Sequence, residues 1–251
     1  MVKAIMNGCG GRMGKMITQI AAGDNGIEIV AGIDKIAVEG APYPVFDDIA
    51  KCDVQADVVI DFSLPTGTDE LIKTCREKKL PLVLCTTGLS EAQLKLVEEA
   101  SKEIAILRSA NMSIGINLLM KLLKEAAAKL SKEGFDIEVV EKHHKMKKDS
   151  PSGTALALAE SMNEALSNEY EFVYDRSDRS MARPVKEIGI SAVRGGTIPG
   201  DHDVIFAGED EVVTFSHRAY SRSIFAKGAI AAAKYLAGKN AGMYDMSDVL
   251  G

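Results

Sequence analysis

A glycine-rich loop between two regular patterns at the start of the chain constrains the fold more than any other feature. Val2–Asn7 (VKAIMN) reads as a short buried strand, Gly8–Gly14 (GCGGRMG) follows directly, and Lys15–Ala22 has a helical pattern. Glycine is required where a backbone turns tightly, approaches a pyrophosphate and lets a helix pack on a strand. Strand, glycine turn and helix in this order are typical of a dinucleotide-binding fold. The spacing is a variant, GxxGxxG, because position 13 is methionine, and such a loop can also be only a tight turn.

An acidic residue follows the second predicted strand at the distance that a dinucleotide fold requires. Ile27–Ile33 (IEIVAGI) reads as a strand and ends on Asp34, twenty residues after Gly14. A carboxylate there can bind the ribose hydroxyls of NAD, and the next residue, Lys35, can meet the 2′-phosphate of NADP. The pair therefore predicts that either cofactor is accepted, although both residues can also merely open a polar loop.

Strand and helix patterns continue to alternate and predict an α/β fold with a Rossmann-type parallel sheet. The further strands and the helices between them are predicted at 58–62, 66–79, 82–85, 90–102 and 104–107.

The loops that leave these strands are the predicted ligand-binding segments. Ligands of such sheets bind at the carboxyl ends of the strands, which here are followed by 62–65, 86–88 and 109–112. The threonine, serine and asparagine side chains of these loops can contact nicotinamide or ribose, but on residue type alone they are more often helix caps. Ser90 and Gln93 form a capping-box pattern of this kind.

The second half of the chain predicts a smaller α+β domain with an open mixed sheet, because several strands follow one another there. An amphipathic helix over 113–132 leads into it, and the alanine-rich segment 221–237 is predicted to be a helix that returns to the first domain. Strands are predicted near 137–139 and at 185–193, 203–206 and 211–216. The predicted domains are a dinucleotide-binding domain, 1–112 completed by 221–251, and a substrate-binding and oligomerisation domain, 113–220.

The segment Glu141–Ala155 (EKHHKMKKDSPSGTA) holds two histidines and four lysines beside a predicted helix start at Thr154. The partial positive charge of a helix N-terminus and the lysine charges would both attract a carboxylate. Imidazole and a lysine among other cations are also plausible proton donors near neutral pH. The alternative is an ordinary solvated loop. No metal site is predicted, because no carboxylate or cysteine stands at a convincing ligand spacing.

Composition excludes several other classes of protein. With 46% hydrophobic and 26% charged residues the chain resembles an ordinary globular protein, and its net charge of -6 argues against a general nucleic-acid binder. Its apolar runs are too short for a membrane span and its start lacks a secretory signal. The four cysteines form no CxxC pair and predict reduced thiols, so a cytoplasmic protein is expected.

The loop Gly8–Gly14 and the segment Glu141–Ala155 together resemble the 4-hydroxy-tetrahydrodipicolinate reductase family of bacterial lysine biosynthesis. The resemblance extends to the TTG at Thr86, the SANMSIGIN stretch at Ser109 and the closing 243–250. It implies that NADH or NADPH reduces a cyclic dicarboxylate imine, with loss of the 4-hydroxyl as water. It also implies a homotetramer built through sheets of the second domain.

The resemblance carries the family's site residues onto matching positions. The resemblance implies that His143 and Lys147 are the proton donors and that His144, Gly153 and Thr154 bind the substrate carboxylate. The implied cofactor contacts are Gly8, Cys9, Gly10, Gly11, Arg12, Met13, Asp34, Cys85, Thr86, Thr87, Ser109, Ala110, Asn111 and Met112. Two positions depart from the family pattern: Cys85 stands where many members have glycine, and Asp34-Lys35 where some have Glu-Arg. The second departure leaves the preference between NADH and NADPH open.

Two rival functions account for the sequence less well. A Rossmann protein that senses NADP without chemistry does not explain the dense histidine and lysine cluster. Another two-domain amino-acid or semialdehyde dehydrogenase is nearer, but those that work through a thiohemiacetal need a cysteine, and none lies within 113–220.

Overall fold

The computed structural model describes all 251 residues, Met1–Gly251. The chain forms two compact units: the first comprises Met1–Ile114 and Ser223–Gly251, and the second Gly115–Arg222. No helix is both long enough and apolar enough to span a bilayer.

Twelve strands and seven α-helices make up the two units. In chain order they are β1 (Val2–Asn7), α1 (Arg12–Ala21), β2 (Ile27–Ile33), β3 (Val45–Phe46), β4 (Val58–Asp61), α2 (Thr68–Lys78), β5 (Leu82–Leu84), α3 (Glu91–Ser101), β6 (Ala105–Leu107), α4 (Ile114–Leu130), β7 (Asp136–His143), α5 (Gly153–Ala165), β8 (Glu171–Val173), β9 (Glu187–Arg194), β10 (Gly200–Ala207), β11 (Val212–Ala219), α6 (Ser223–Leu236), β12 (Gly242–Tyr244) and α7 (Met246–Leu250).

The first unit is built on a seven-stranded parallel sheet in the order β12-β6-β5-β4-β1-β2-β3. Side chains of β1 alternate between two hydrophobic cores, one on each face. Ala4 and Met6 pack with residues of α1 and α6, whereas Ile5 packs with residues of α2 and α3. A sheet buried on both faces requires the nearly continuous apolar strands seen in the sequence. The predicted Rossmann-type sheet is confirmed, as is the capping box of Ser90 and Gln93 at α3.

The second unit holds a five-stranded mixed sheet in the order β11-β10-β7-β9-β8. β10 is antiparallel to both β7 and β11, and β9 is parallel to both β7 and β8. One face is covered by side chains of α4 and α5, which pack against Ile137, Val139, Val204 and Phe206. The predicted open mixed sheet is therefore confirmed, with β10 and β11 longer than the patterns indicated.

Candidate active site

The glycine loop joins the carboxyl ends of three neighbouring strands of the first unit. Gly8 and Cys9 both donate their N–H groups to the carbonyl of Ile33, at the end of β2. A Cβ at Gly8, which has φ +82°, would lie 2.7 Å from the carbonyl oxygen of Phe62, just after β4. Only glycine permits this approach, so the backbone of the loop faces the edge where ligands of parallel sheets bind.

Gly14 lets α1 pack directly on the loop. A Cβ there would lie 2.3 Å from the carbonyl oxygen of Gly8. α1 begins at Arg12, and its N-cap is Gly11, whose side chain is only hydrogen. Backbone N–H groups of the first turn are therefore presented at the loop, as a phosphate requires.

Asp34 is fixed above the glycine loop by two backbone donors. Its Oδ2 accepts the N–H of Gly10 at 2.9 Å, and its Oδ1 accepts the N–H of Ile36 at 3.2 Å. A Cβ added to Gly10 would come within 2.9 Å of the same carboxylate. The loop and Asp34 thus border one recess, which a larger residue at position 10 would fill. A recess between a glycine loop and an acidic side chain is suited to bind a dinucleotide.

A cavity of about 880 Å³ opens beside this recess. Of the predicted cofactor residues it is lined by Gly8, Gly10, Gly11, Asp34 and Lys35. Lys15, which was not predicted, also lines it and adds a second cation.

The other predicted cofactor residues do not line this cavity, and several are turned into the protein. Cys9 is buried, and burial raises the pKa of its thiol. Met13 packs against the core, and Arg12 is exposed. Thr87 and Ala110 are exposed, and Met112 is buried in the core. The remaining ones are partly buried, namely Cys85, Ser109 and Asn111. Residues 85–87 and 109–112 follow the adjacent strands β5 and β6, so they share the carboxyl edge of the sheet with the loop.

Thr86 points at a buried carboxylate that the sequence reasoning missed. Its hydroxyl donates to Oδ2 of Asp61 at 2.5 Å, and Asp61 also accepts from Asn7 Nδ2 at 2.8 Å and the Ser63 N–H at 3.1 Å. Burial raises the pKa of Asp61, and these hydrogen bonds oppose the rise. The side chain of Thr86 thus ties the end of β5 to the end of β4. The detectable signal was an acidic residue inside the apolar strand VVIDF.

In the second unit, Glu141 and His143 lie on the buried face of β7. Glu141 is completely buried and accepts two hydrogen bonds from the guanidinium of Arg194, both 2.7 Å long. It also accepts the Ser152 N–H at 2.9 Å and lies 2.6 Å from Nδ1 of His143. Burial raises the pKa of Glu141, but the hydrogen bonds from Arg194, His143 and Ser152 outweigh burial and hold it below its ordinary value. A buried carboxylate is tolerated because all its partners are in place.

The surroundings of His143, a predicted catalytic residue, shift its pKa. Burial lowers its pKa below the ordinary value, Glu141 raises it in part, and the charges of Lys147 and Arg194 lower it further. The imidazole therefore favours its neutral form at pH 7. A dianionic ligand would favour the protonated form.

His202, on the neighbouring strand β10, was not predicted. Its ring centroid lies 5.2 Å from that of His143 in an edge-to-face arrangement, and its Nε2 lies 3.2 Å from Oγ of Ser152. Burial lowers the pKa of His202 to about 4. His217 of β11 follows at 6.5 Å between ring centroids. A single histidine in a strand cannot be recognised as a site residue from the sequence. The pairing of β7, β10 and β11 is what places His143, His202 and His217 next to one another.

Helix α5 begins at Gly153, one residue before the predicted start, and the predicted helix after the His143 segment is confirmed. Ser152 is its N-cap, and its Oγ accepts the N–H of Ala155 at 3.1 Å. Gly153 and Thr154 form the first turn of α5, and the backbone of Gly153 donates a hydrogen bond to the carboxylate of Asp149. Lys147 lies in the loop before α5 and pairs with Asp149 at 2.8 Å. His144 follows the end of β7, and its backbone N–H donates to Ile198. The structure thus brings His143 and the start of α5 together through Glu141 and Ser152.

Comparison with known proteins gives a consistent result over the whole chain. Residues 2–112 match the family model described as dihydrodipicolinate reductase, N-terminus, and residues 115–250 match the model of its C-terminus. The 4-hydroxy-tetrahydrodipicolinate reductase of Caldanaerobacter subterraneus subsp. tengcongensis is 53% identical over 250 residues, covering 100% of this chain and 98% of that protein. The enzyme of the same name from Clostridium tetani is 52% identical, covering 100% of this chain and 97% of that protein.

Solved structures agree on the fold. Dipicolinate-bound dihydrodipicolinate reductase from Paenisporosarcina sp. TG-14 superposes with a TM-score of 0.82 at 23% identity, covering 99% of this chain and 98% of that one. The glycine loop, the buried His143 and the start of α5 thus occur in a chain that two family models match almost end to end. This chain belongs to the dihydrodipicolinate reductase family.

Proposed function

We propose that this protein reduces 4-hydroxy-tetrahydrodipicolinate to tetrahydrodipicolinate with NADH or NADPH and releases water, as a step of diaminopimelate and lysine biosynthesis. The observation that carries the proposal is His143, buried beside the start of α5 and held by Glu141. His143 would act as the proton donor, and the start of α5 beside it would bind an anion. Reduction of a dicarboxylate imine requires both functions.

The first unit supplies the nucleotide site. The loop Gly8–Met13 and the first turn of α1 would hold the pyrophosphate, and Asp34 would hold the ribose hydroxyls. Lys35 would meet the 2′-phosphate of NADPH, so that both nucleotides are accepted. Bound here, the reduced nicotinamide supplies the hydride that the imine receives. The segments 85–87 and 109–112 would position the nicotinamide end of the nucleotide, mainly through backbone groups.

The second unit supplies the substrate site. Gly153 and Thr154 would bind one carboxylate at the positive N-terminal end of α5, and His144 would add a further contact. The dipicolinate in the Paenisporosarcina structure is an aromatic dicarboxylate, which supports a ligand of this class. Holding a carboxylate in this way orients the ring, and orientation contributes a large part of the rate of many enzymes.

His143 and Lys147 would deliver the proton that the reaction consumes. Loss of the 4-hydroxyl as water leaves a conjugated imine, and hydride addition to it must be matched by one proton. Burial lowers the pKa of His143 and favours its neutral form at pH 7. A substrate with two negative charges would raise the pKa of His143, so that the donor becomes protonated when it is needed.

We propose that the protein is a cytoplasmic homotetramer that assembles through the sheet of its second unit. The face of this sheet opposite α4 and α5 includes exposed apolar side chains, among them Val193 and Val212, which are 47% and 61% exposed. Association of such faces would remove apolar surface from water.

The proposed function is tested by following the absorbance of NADH or NADPH while substrate is generated in place from pyruvate and aspartate semialdehyde. Oxidation of both nucleotides is expected only when both precursors are present. Dipicolinate should inhibit it in competition with the generated substrate. Nucleotide oxidation that never depends on the two precursors would refute the proposal.

A further inference from the structure

We infer that Glu141 is a positioning residue for proton transfer: it holds His143 through Nδ1, so that Nε2 faces the substrate, and it sets the place of Ser152 at the start of α5. The inference deepens the proposed function and rests on it. Glu141 itself touches no substrate in this account, because its carboxylate is fully buried.

The contacts of Glu141 hold its carboxylate in a single position. Oε2 lies 2.6 Å from His143 Nδ1 and 2.7 Å from one guanidinium nitrogen of Arg194. Oε1 lies 2.7 Å from the other guanidinium nitrogen and 2.9 Å from the backbone nitrogen of Ser152. Two-point pairing with a guanidinium is strong and directional, and both carboxylate oxygens of Glu141 have two partners each, which holds the side chain in place.

The carboxylate decides which nitrogen of His143 carries the exchangeable proton. An ionised carboxylate only accepts hydrogen bonds, so the hydrogen of the Nδ1 contact belongs to the imidazole. Nε2 is then the nitrogen that gains and loses a proton during the reaction. Gly200 of β10 keeps this nitrogen accessible, since a Cβ at that position would lie 3.0 Å from Nε2.

The charged and titratable groups around His143 make Glu141 its only anionic partner. His143 is faced by Arg194 of β9, His202 of β10 and Lys147 of the following loop, and both cations disfavour its protonation. Glu141 favours protonation by charge and by hydrogen bond. Without Glu141, burial and the charges of Lys147 and Arg194 would lower the pKa of His143 further.

The same side chain links the proton donor to the anion site. Oε1 accepts the N–H of Ser152, and Ser152 in turn caps α5 by accepting the N–H of Ala155. A displacement of Glu141 would therefore shift His143 and the first turn of α5 relative to each other. Both the turnover number and the Michaelis constant should respond.

The test is Glu141→Gln, which keeps the shape and removes the charge. Turnover is expected to fall about tenfold or more at pH 7, because the donor is less often protonated. The pH above which turnover declines should move down by about one unit or more, since Arg194 now acts unopposed. Affinity for NADH should be unchanged, because the nucleotide loop belongs to the first unit. A purely structural role for Glu141 would not move the pH profile of the properly folded enzyme.

A second variant keeps the test valid if Glu141→Gln misfolds. Glu141→Gln leaves the charge of Arg194 buried and unpaired, which can destabilise the protein. Glu141→Gln combined with Arg194→Gln removes both charges and should fold, yet turnover should stay about tenfold or more below wild type. Wild-type turnover in this double variant would overturn the inference.

The tautomer of His143 gives a readout that does not depend on activity. In the wild-type protein without ligand, ¹⁵N chemical shifts should place the hydrogen of neutral His143 on Nδ1. A hydrogen on Nε2, or a pH profile of Glu141→Gln equal to that of wild type, would overturn the inference. An inactive wild-type enzyme with a hydrogen on Nδ1 would instead refute the proposed function alone.

Discussion

Replacement of Gly14 by alanine tests whether α1 packs on the glycine loop as described. The new Cβ would lie 2.3 Å from the Gly8 carbonyl oxygen, 2.6 Å from Cys9 Cα and 2.8 Å from the Cys9 carbonyl oxygen. Cβ atoms essentially never approach other atoms within 3.0 Å, so helix and loop must separate by about 0.7 Å, the difference between 3.0 and 2.3 Å. All three atoms belong to the backbone, and no side-chain rotation can relieve the contact.

The expected cost follows from two opposing terms. Overpacking of this kind destabilises by about 1–3 kcal/mol, and the upper part of that range applies because the N–H groups of Gly8 and Cys9 are held by Ile33. Alanine in a helix recovers about 1 kcal/mol relative to glycine. The free energy of unfolding should therefore fall by about 2 kcal/mol, measured by urea denaturation. A displaced loop should also weaken NADH binding by about tenfold or more in a fluorescence titration, equivalent to about 1.4 kcal/mol.

Gly23→Ala is the matched control, because it lies just after the same helix and its Cβ would meet only the Ile20 carbonyl oxygen, at 3.7 Å. It should leave NADH affinity unchanged and stability equal or slightly higher. A Gly14→Ala protein with the stability and NADH affinity of wild type would refute the described packing.

Three further predictions concern single side chains. Lys35→Ala should weaken NADPH about tenfold and NADH little, because one charge-assisted contact to the 2′-phosphate is lost; equal losses in fluorescence titrations would contradict that role. Gly228→Ala should lower the urea midpoint strongly, since its Cβ would lie 1.6 Å from the carbonyl oxygen of Met112, and an unchanged midpoint would contradict the packing of α6. His202 has its pKa lowered by burial to about 4, so it stabilises the fold above pH 6.5 and loses that contribution as the pH falls towards 4. Between pH 7 and pH 4 wild type should lose about 3 kcal/mol more stability than His202→Gln, and equal losses would show that His202 is not buried neutral.

The fold could be predicted where the pattern is long and the physical demand is specific. The strand, glycine loop and helix at Gly8–Gly14 predicted the first unit, because few folds need glycine at those places. Two or three residues show no periodicity, so β5 (LVL) and β6 (AIL) could be predicted only from their continuous apolar residues, whereas β3, β8 and β12 were missed. β10 begins at Gly200, three residues before its predicted start. The early start was missed because the first residues, Gly-Asp-His-Asp, are not typical of a strand.

The site could be predicted only in part. The segment around His143 and Lys147 stands out through its local density of cations. The partners of His143 lie far away in sequence: Arg194 is placed opposite it by the parallel pairing of β7 with β9, and His202 is placed opposite Glu141 by the antiparallel pairing of β7 with β10. No local sequence pattern predicts which residues of two strands pair, because strand register depends on burial across the whole sheet.

The turnover number of Lys147→Ala tests the central claim most directly. In this account His143 and Lys147 act in the chemical step, whereas Thr154 mainly holds substrate at the start of α5. Lys147→Ala should therefore lose about a hundredfold or more in turnover while it keeps wild-type affinity for NADH. Thr154→Val, the matched control, should raise the Michaelis constant with a smaller effect on turnover. Near-normal turnover of Lys147→Ala with only a raised Michaelis constant would contradict the account, and would make the cluster an anion-binding site alone.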